Sequence, residues 1–148
     1  MTRILFVCHG NICRSPMAEF VMRDMVDIAG LSGKVEVASA ATSTEQLGED
    51  IHYGTRGILE KYRIPHTPRS ARQITKADYD DFDYIIGMDS YNIANMRRAF
   101  GGDPDGKVST LLSWAGSSRD VDDPWYTGDF ESTYRDVLEG CAALLKKL

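Results

Sequence analysis

The chain has 148 residues, of which 43% are hydrophobic and 26% are charged, and its formal net charge at pH 7 is −5. This length predicts a single domain over residues 1–148, and this composition excludes a wholly disordered chain. The negative charge disfavours nucleic acid as a partner. The longest apolar run near the start, residues 4–8, is too short for a membrane span or a signal peptide. We therefore expect a cytoplasmic protein that binds neither nucleic acid nor membrane.

The first forty residues alternate between strand and helix patterns. Residues 4–8 are wholly apolar, which is typical of a strand buried on both faces of a parallel sheet. After a loop, Ser15 and Pro16 predict the N-cap and first position of a helix, since apolar residues recur at helical spacing up to residue 28. Gly30 is placed to end this helix, and residues 35–38 predict a second strand.

The same alternation continues to the end of the chain. The predicted segments are a helix at 55–62, a short helix capped by Thr75, a strand at 84–88, a helix at 91–100 capped by Ser90 and ended by Gly101, a fourth strand at 108–112, and an amphipathic helix at 129–148. Residues 39–54, 65–72 and 113–128 are predicted to be mostly loop. Strands that alternate with helices predict an α/β layer fold with a parallel sheet and right-handed crossovers.

The three cysteines do not form the pattern of a disulfide framework or a zinc site. Their number is odd and low, and no pair of histidines accompanies Cys8 and Cys13 at zinc-ligand spacing. Cys141 lies in an apolar helical stretch and is predicted to be a small core residue. We expect reduced cysteines, no metal and no cofactor.

The loop between the first strand and the first helix has the features of an anion-binding site. Open α/β sheets bind ligands at the carboxyl ends of their strands, and a helix N-terminus offers free N–H groups with positive potential. Gly10 permits close approach of the backbone, Asn11 tolerates a left-handed conformation, and Arg14 can grip two phosphate oxygens. The same positive potential favours a thiolate at Cys8, which predicts phosphoryl transfer to sulfur.

Residues 8–19 of this segment have the sequence CHGNICRSPMAE. This sequence resembles the active-site signature of the low-molecular-weight protein tyrosine phosphatases. The resemblance continues in family order through SAATS at 39–43, ARQIT at 71–75, FDY at 82–84, MD at 88–89 and DDPWY at 122–126. It covers essentially the whole chain. It implies a three-layer α/β fold whose four-stranded parallel sheet has the order 2-1-3-4, with helices on both faces.

The resemblance implies roles for individual residues. Cys8 would be the nucleophile that forms a phosphocysteine, and Arg14 would bind the phosphoryl oxygens and stabilise the transition state. Asp123 would protonate the leaving phenolate and later activate water. Position in the loop alone leaves Asp120, Asp122 and Asp129 as alternatives to Asp123. The residues implied in phosphate binding or loop support are His9, Gly10, Asn11, Ile12, Cys13, Ser15 and Ser39.

Three side chains are implied at the wall of the substrate pocket, namely Trp125, Tyr126 and Gln46. Without the resemblance, the two aromatic residues would be interpreted as a hydrophobic anchor of their loop. His9 is interpreted as a rim residue rather than a catalyst. By the same resemblance, Cys13 is hypothesised to trap oxidised Cys8 as a disulfide, and the alternative is that Cys13 only packs.

The sequence departs from the family pattern at two positions. Arg69 stands where many members have a histidine that supports the loop, so the resemblance does not imply how the loop is supported here. Trp125 replaces the first of two tyrosines that often follow the Asp-Pro pair, so control by phosphorylation at that position is absent.

Three other functions share parts of this pattern. Arsenate reductases with this loop need further cysteines in mid-chain, and residues 80–95 contain none. Protein arginine phosphatases tend to have threonine where this chain has Ile12. A non-catalytic phosphopeptide-binding module would lack the nucleophile, arginine or acid. We therefore predict a monomeric tyrosine phosphatase whose partners are phosphotyrosine proteins, a cognate tyrosine kinase among them.

Overall fold

Four parallel strands form the centre of the protein, described over all residues 1–148 by a computed structural model. The strands are β1 (Thr2–Cys8), β2 (Val35–Ala41), β3 (Tyr84–Gly87) and β4 (Val108–Thr110). They lie in the order β2-β1-β3-β4, and all three pairings are parallel. The predicted sheet and strand order are confirmed.

Helices cover both faces of the sheet. They are α1 (Arg14–Ile28), α2 (Tyr53–Lys61), α3 (Lys76–Asp81), α4 (Ser90–Phe100), α5 (Pro124–Thr127) and α6 (Phe130–Leu145), with a 3-10 helix at Leu111–Ala115. Alternate residues of β1 point to opposite faces, so Phe6 packs into the core beneath α1, α2 and α6, and Leu5 into the core beneath α3 and α4. None of the helices has the length and apolarity that crossing a membrane requires.

The start of α1 differs from the prediction. Cys13 is the N-cap residue and Arg14 begins the helix, so Ser15 is not the cap and Pro16 is the third helical residue. Proline is tolerated there because N–H groups of the first turn have no partner within the helix. The predicted end is confirmed: Gly30 has φ +74°, and the N–H of Leu31 donates to the Val26 carbonyl at 2.9 Å.

Other boundaries differ for local reasons. Asp89, not Ser90, caps α4, because its carboxylate accepts the Asn92 N–H at 2.8 Å. β2 runs three residues past its predicted end, where Ala41 exchanges backbone hydrogen bonds with residues 72–74. The predicted loop at 113–128 contains part of the 3-10 helix and all of α5.

Candidate active site

Cys8 ends β1 with its sulfur surrounded by hydrogen-bond donors. Its Sγ accepts the N–H groups of Asn11 at 3.3 Å and Ser15 at 3.4 Å, and lies 3.0 Å from Ser15 Oγ. The hydroxyl of Ser15 therefore faces the sulfur instead of capping α1. Hydrogen-bond donors thus converge on the sulfur beside the N-terminus of α1.

Asn11 holds the loop in its curved shape. It has φ +57° and is completely buried, so its left-handed conformation depends on its contacts. Its Nδ2 donates to Ser15 Oγ at 2.8 Å and to Ser39 Oγ at 2.9 Å. Ser39 in turn donates to Glu19 of α1. The loop, β2 and α1 are thus joined by one chain of hydrogen bonds.

Arg69 supplies support at the position where the sequence departs from the family pattern. Its Nη2 donates to the backbone carbonyl of Asn11 at 2.6 Å and also to Asn11 Oδ1. Its Nη1 donates to the Glu49 carbonyl at 3.2 Å. Burial lowers the pKa of Arg69, but an arginine remains cationic at neutral pH. The guanidinium therefore places a positive charge beside the loop.

Arg14 is held rigidly by acidic and carbonyl oxygens. Its side chain is only 2% exposed, and its Nη1 donates to Asp89 Oδ2 at 2.7 Å and to the Val121 carbonyl at 2.9 Å. Burial opposes the charged form, but negative charge at Cys8, Asp89 and Asp123 outweighs it and raises the pKa of Arg14. Asp89 was not assigned a role from the sequence, although its motif was recognised.

Asp123 caps α5 at the edge of the same pocket. Its Oδ1 accepts the N–H of Trp125 at 3.0 Å, and its Oδ2 lies 3.4 Å from Arg14 Nη2. Asp129 caps α6 instead, and Asp120 accepts a bond from Ser90 at 3.4 Å. Asp123 alone among the four alternatives lines the pocket with Cys8.

The pocket in front of Cys8 has a cavity volume of about 90 Å³. Its lining comprises Cys8, His9, Gly10, Ile12, Cys13, Arg14, Glu45, Gln46, Asp123, Trp125 and Tyr126. The sequence-predicted residues are thus brought together, with Asn11, Ser15 and Ser39 packed around the loop rather than in the lining. Glu45 was missed; it lies 2.9 Å from Nε2 of the exposed His9. The one sequence signal for Glu45 was its position directly before Gln46, which was predicted to lie at the pocket wall.

The two remaining cysteines are buried thiols. Cys13 packs with Ile12 and Ala71, and burial, with the charges of Cys8 and Asp123, raises its pKa to about 12. Cys141 is completely buried in the larger core, as predicted, and burial raises its pKa too. Cys13 is therefore a neutral thiol at pH 7. No group of three or more metal-ligating side chains is present.

The geometry combines three chemical capacities in one pocket. Loop N–H groups and Arg14 can bind a tetrahedral anion, Cys8 can attack it, and Asp123 can exchange a proton with a leaving group or water.

The chain resembles characterised proteins along its whole length. The family model described as low molecular weight phosphotyrosine protein phosphatase matches residues 3–148. The low molecular weight protein-tyrosine-phosphatase YfkJ of Bacillus subtilis is 42% identical, over 100% of this chain and 96% of its own. The corresponding enzyme PtpA of Staphylococcus epidermidis is 40% identical, over 98% and 92%.

Solved structures give the same result. The crystal structure of YfkJ superposes with a TM-score of 0.96 at 42% identity, covering 99% of this chain and 94% of that one. The low molecular weight protein tyrosine phosphatase SP-PTP of Streptococcus pyogenes superposes with a TM-score of 0.91 at 44% identity, covering 100% and 93%.

Proposed function

Since the chain belongs to the low molecular weight phosphotyrosine protein phosphatase family, we propose that it hydrolyses phosphotyrosine in proteins through a phosphocysteine on Cys8. The observation that carries this proposal is the meeting of Cys8, Arg14 and Asp123 in one pocket, although they come from opposite ends of the chain. No metal or cofactor has a part in the proposed reaction.

The first step transfers the phosphoryl group to sulfur. The N–H groups of residues 9–14 and the guanidinium of Arg14 bind the phosphoryl oxygens. Cys8 thiolate attacks phosphorus, so the S–P bond forms while the bond from phosphorus to the tyrosine oxygen breaks. Asp123 gives its proton to that oxygen, and tyrosine leaves as the neutral phenol.

The second step returns the enzyme to its starting state. The carboxylate of Asp123 takes a proton from water as the water oxygen attacks phosphorus. The S–P bond breaks, phosphate is released, and the electron pair returns to sulfur. Ser15 Oγ, 3.0 Å from Cys8 Sγ, donates a hydrogen bond to the departing thiolate. Asn11 and Ser39 keep that hydroxyl in place.

The pocket wall supports tyrosine as the substrate side chain. Trp125 and Tyr126 offer exposed aromatic surface beside the pocket, and Gln46 lies against Gly10 on its lining. Ile12 presents no hydroxyl to a phosphorylated guanidinium, which disfavours phosphoarginine. The proposed partners are therefore phosphotyrosine proteins, including a cognate tyrosine kinase.

The test is hydrolysis of a phosphotyrosine peptide in EDTA, beside phosphoserine and phosphoarginine substrates and with Cys8→Ser as control. We expect phosphotyrosine hydrolysis that EDTA leaves unchanged and Cys8→Ser abolishes. Preference for phosphoarginine would reassign the substrate. Absence of hydrolysis on all three substrates would contradict the proposal as a whole.

A further inference from the structure

A cluster of aromatic rings lies between the phosphate-binding loop and the loop that carries Asp123. His52 is at its centre: its ring stacks on Phe130 at a centroid distance of 5.2 Å and 13° between planes, and meets Trp125 edge-on at 5.6 Å. Tyr53 lies 4.2 Å away on the same ring. The distances to Phe130 and Trp125 fall in the range of favourable aromatic contacts. We name these four residues the His52 cluster.

The His52 cluster is attached to the phosphate-binding loop. The N–H of His52 donates to the Ile12 carbonyl at 2.8 Å, and Thr55 Oγ1 donates to the Cys13 carbonyl at 3.1 Å. Phe130 packs against the small apolar cluster formed by Ile12, Cys13 and Ala71. The beginning of α2 is thus bonded to the outer side of the loop whose inner side faces the pocket.

The same cluster is attached to the loop with the acid. Trp125 contacts the His52 ring, and the N–H of Trp125 donates to Asp123 Oδ1 at 3.0 Å. One residue therefore stands between the ring of His52 and the carboxylate of Asp123. No step of the proposed reaction uses His52 itself.

We propose that His52 is a positioning residue, whose ring fixes Trp125, and through it Asp123, relative to the phosphate-binding loop. The inference rests on the proposed function, because it concerns the proton that Asp123 gives to the leaving group. Histidine suits this position since its flat ring stacks while its Nδ1 accepts the Gly54 N–H at 3.0 Å and caps α2. Gly54 permits the stack, because a Cβ there would lie 2.4 Å from the Phe130 ring.

Two substrates with different leaving groups provide a kinetic readout that a loss of protein stability alone would not change. Nitrophenolate leaves from p-nitrophenyl phosphate with little need of a proton, whereas phenolate from phenyl phosphate needs one. If Asp123 is misplaced, kcat/KM falls more for phenyl phosphate than for p-nitrophenyl phosphate. The ratio of the two values therefore reports proton donation, and kcat/KM covers the first step only.

Matched variants separate the ring of His52 from its capping nitrogen. His52→Asn and His52→Ser remove the ring and keep a capping oxygen, whereas His52→Phe keeps a ring and loses the acceptor. We expect the two ring-deleted variants to lose about tenfold more on phenyl phosphate than on p-nitrophenyl phosphate. His52→Phe and the control His66→Asn, whose ring contacts Phe20 instead, keep the wild-type ratio.

Equal losses on both substrates in the ring-deleted variants would overturn the inference, as would a ratio change in His52→Phe as large as in His52→Asn. The outcome is separable from failure of the proposed function. If the proposed function were wrong, the wild-type protein itself would hydrolyse neither substrate, or Cys8→Ser would remain active. Having two ring-deleted variants keeps the test decisive if one of them does not fold.

Discussion

At the scale of single residues, Asp123 has both a structural role and a proposed chemical role. Its carboxylate caps α5 and, in the proposed reaction, gives the proton to the phenolate. Asparagine keeps a capping oxygen but has no proton to give. The two roles can therefore be separated by one substitution.

Asp123→Asn is expected to lower kcat/KM for phenyl phosphate by about 10²–10⁴-fold, the usual contribution of a general acid. The loss for p-nitrophenyl phosphate is expected to be smaller. Steady-state kinetics with both substrates measure the difference. Asp122→Asn, which changes the neighbouring residue outside the pocket lining, serves as the control and should behave as wild type.

Cys13 gives a second prediction at this scale. If peroxide oxidises the Cys8 thiolate to the sulfenic acid, Cys13 thiolate attacks its sulfur, and the S–S bond forms with release of hydroxide. Because burial raises the pKa of Cys13, its thiolate fraction is small at neutral pH and grows as pH rises. Disulfide formation is therefore expected to accelerate from pH 7 to pH 9, as followed by mass spectrometry of the linked peptides.

The matched variant for this reaction is Cys13→Ala. Its peroxide inactivation should be less reversible by dithiothreitol than that of the wild type, since Cys8 then has no partner. Equal reversibility in the two proteins would show that Cys13 only packs.

At the scale of elements, the phosphate-binding loop depends on Arg69 from a distant loop. Arg69→Met removes hydrogen bonds to the carbonyl and side chain of Asn11 while keeping much of the apolar stem. We expect a loss of about 1–3 kcal/mol in the free energy of unfolding, because bonds from a charged donor are removed from buried acceptors. We also expect kcat/KM to fall, as the left-handed Asn11 is less constrained.

Urea denaturation and phosphotyrosine peptide kinetics measure the two effects of Arg69→Met. Arg135→Met, on the exposed side of α6, is the control and should change neither by much. Unchanged kinetics in Arg69→Met would mean that Ser39, Ser15 and the backbone N–H of Arg72 are sufficient to hold Asn11.

The elements also show why sequence patterns succeed in some places and fail in others. Residues 4–8 of β1 are predictable because a segment buried on both faces of the sheet must be apolar. Caps are less predictable where two polar residues are adjacent: Asp89 takes the place expected of Ser90, and Ser15 is drawn to the sulfur of Cys8. The partners Glu19 and Arg69 depend on contacts distant in sequence, which no local pattern contains.

At the scale of the whole molecule, α6 closes one face of the sheet by packing on the 3-10 helix. Gly140 permits this approach, because a Cβ at that position would lie 2.4 Å from Cγ of the completely buried Leu111. The Leu111 side chain thus packs directly on the backbone of α6 at Gly140. The packing of this end of the sheet depends on that contact.

Gly140→Ala is expected to lower the free energy of unfolding by about 1–3 kcal/mol, as overpacked cores do. Gly57→Ala is the matched control, since α2 leaves open space around Gly57. There the added methyl group should be neutral or stabilise by about 0.4–1 kcal/mol. Chemical denaturation of both variants tests the pair, and a stable Gly140→Ala protein would contradict the predicted overlap.

The residues that form and fix the pocket are far apart along the chain, and this separation affects how bound anions change protein stability. Asp89 and Asp123 fix Arg14 beside the phosphate-binding loop only when the chain is fully folded, so an anion bound by Arg14 and the loop N–H groups has no counterpart site in the unfolded ensemble. By mass action, such an anion at a hundred times its dissociation constant adds about 2.7 kcal/mol to global stability. The rise in melting temperature can therefore be used to rank the affinities of unreactive oxyanions without measuring turnover.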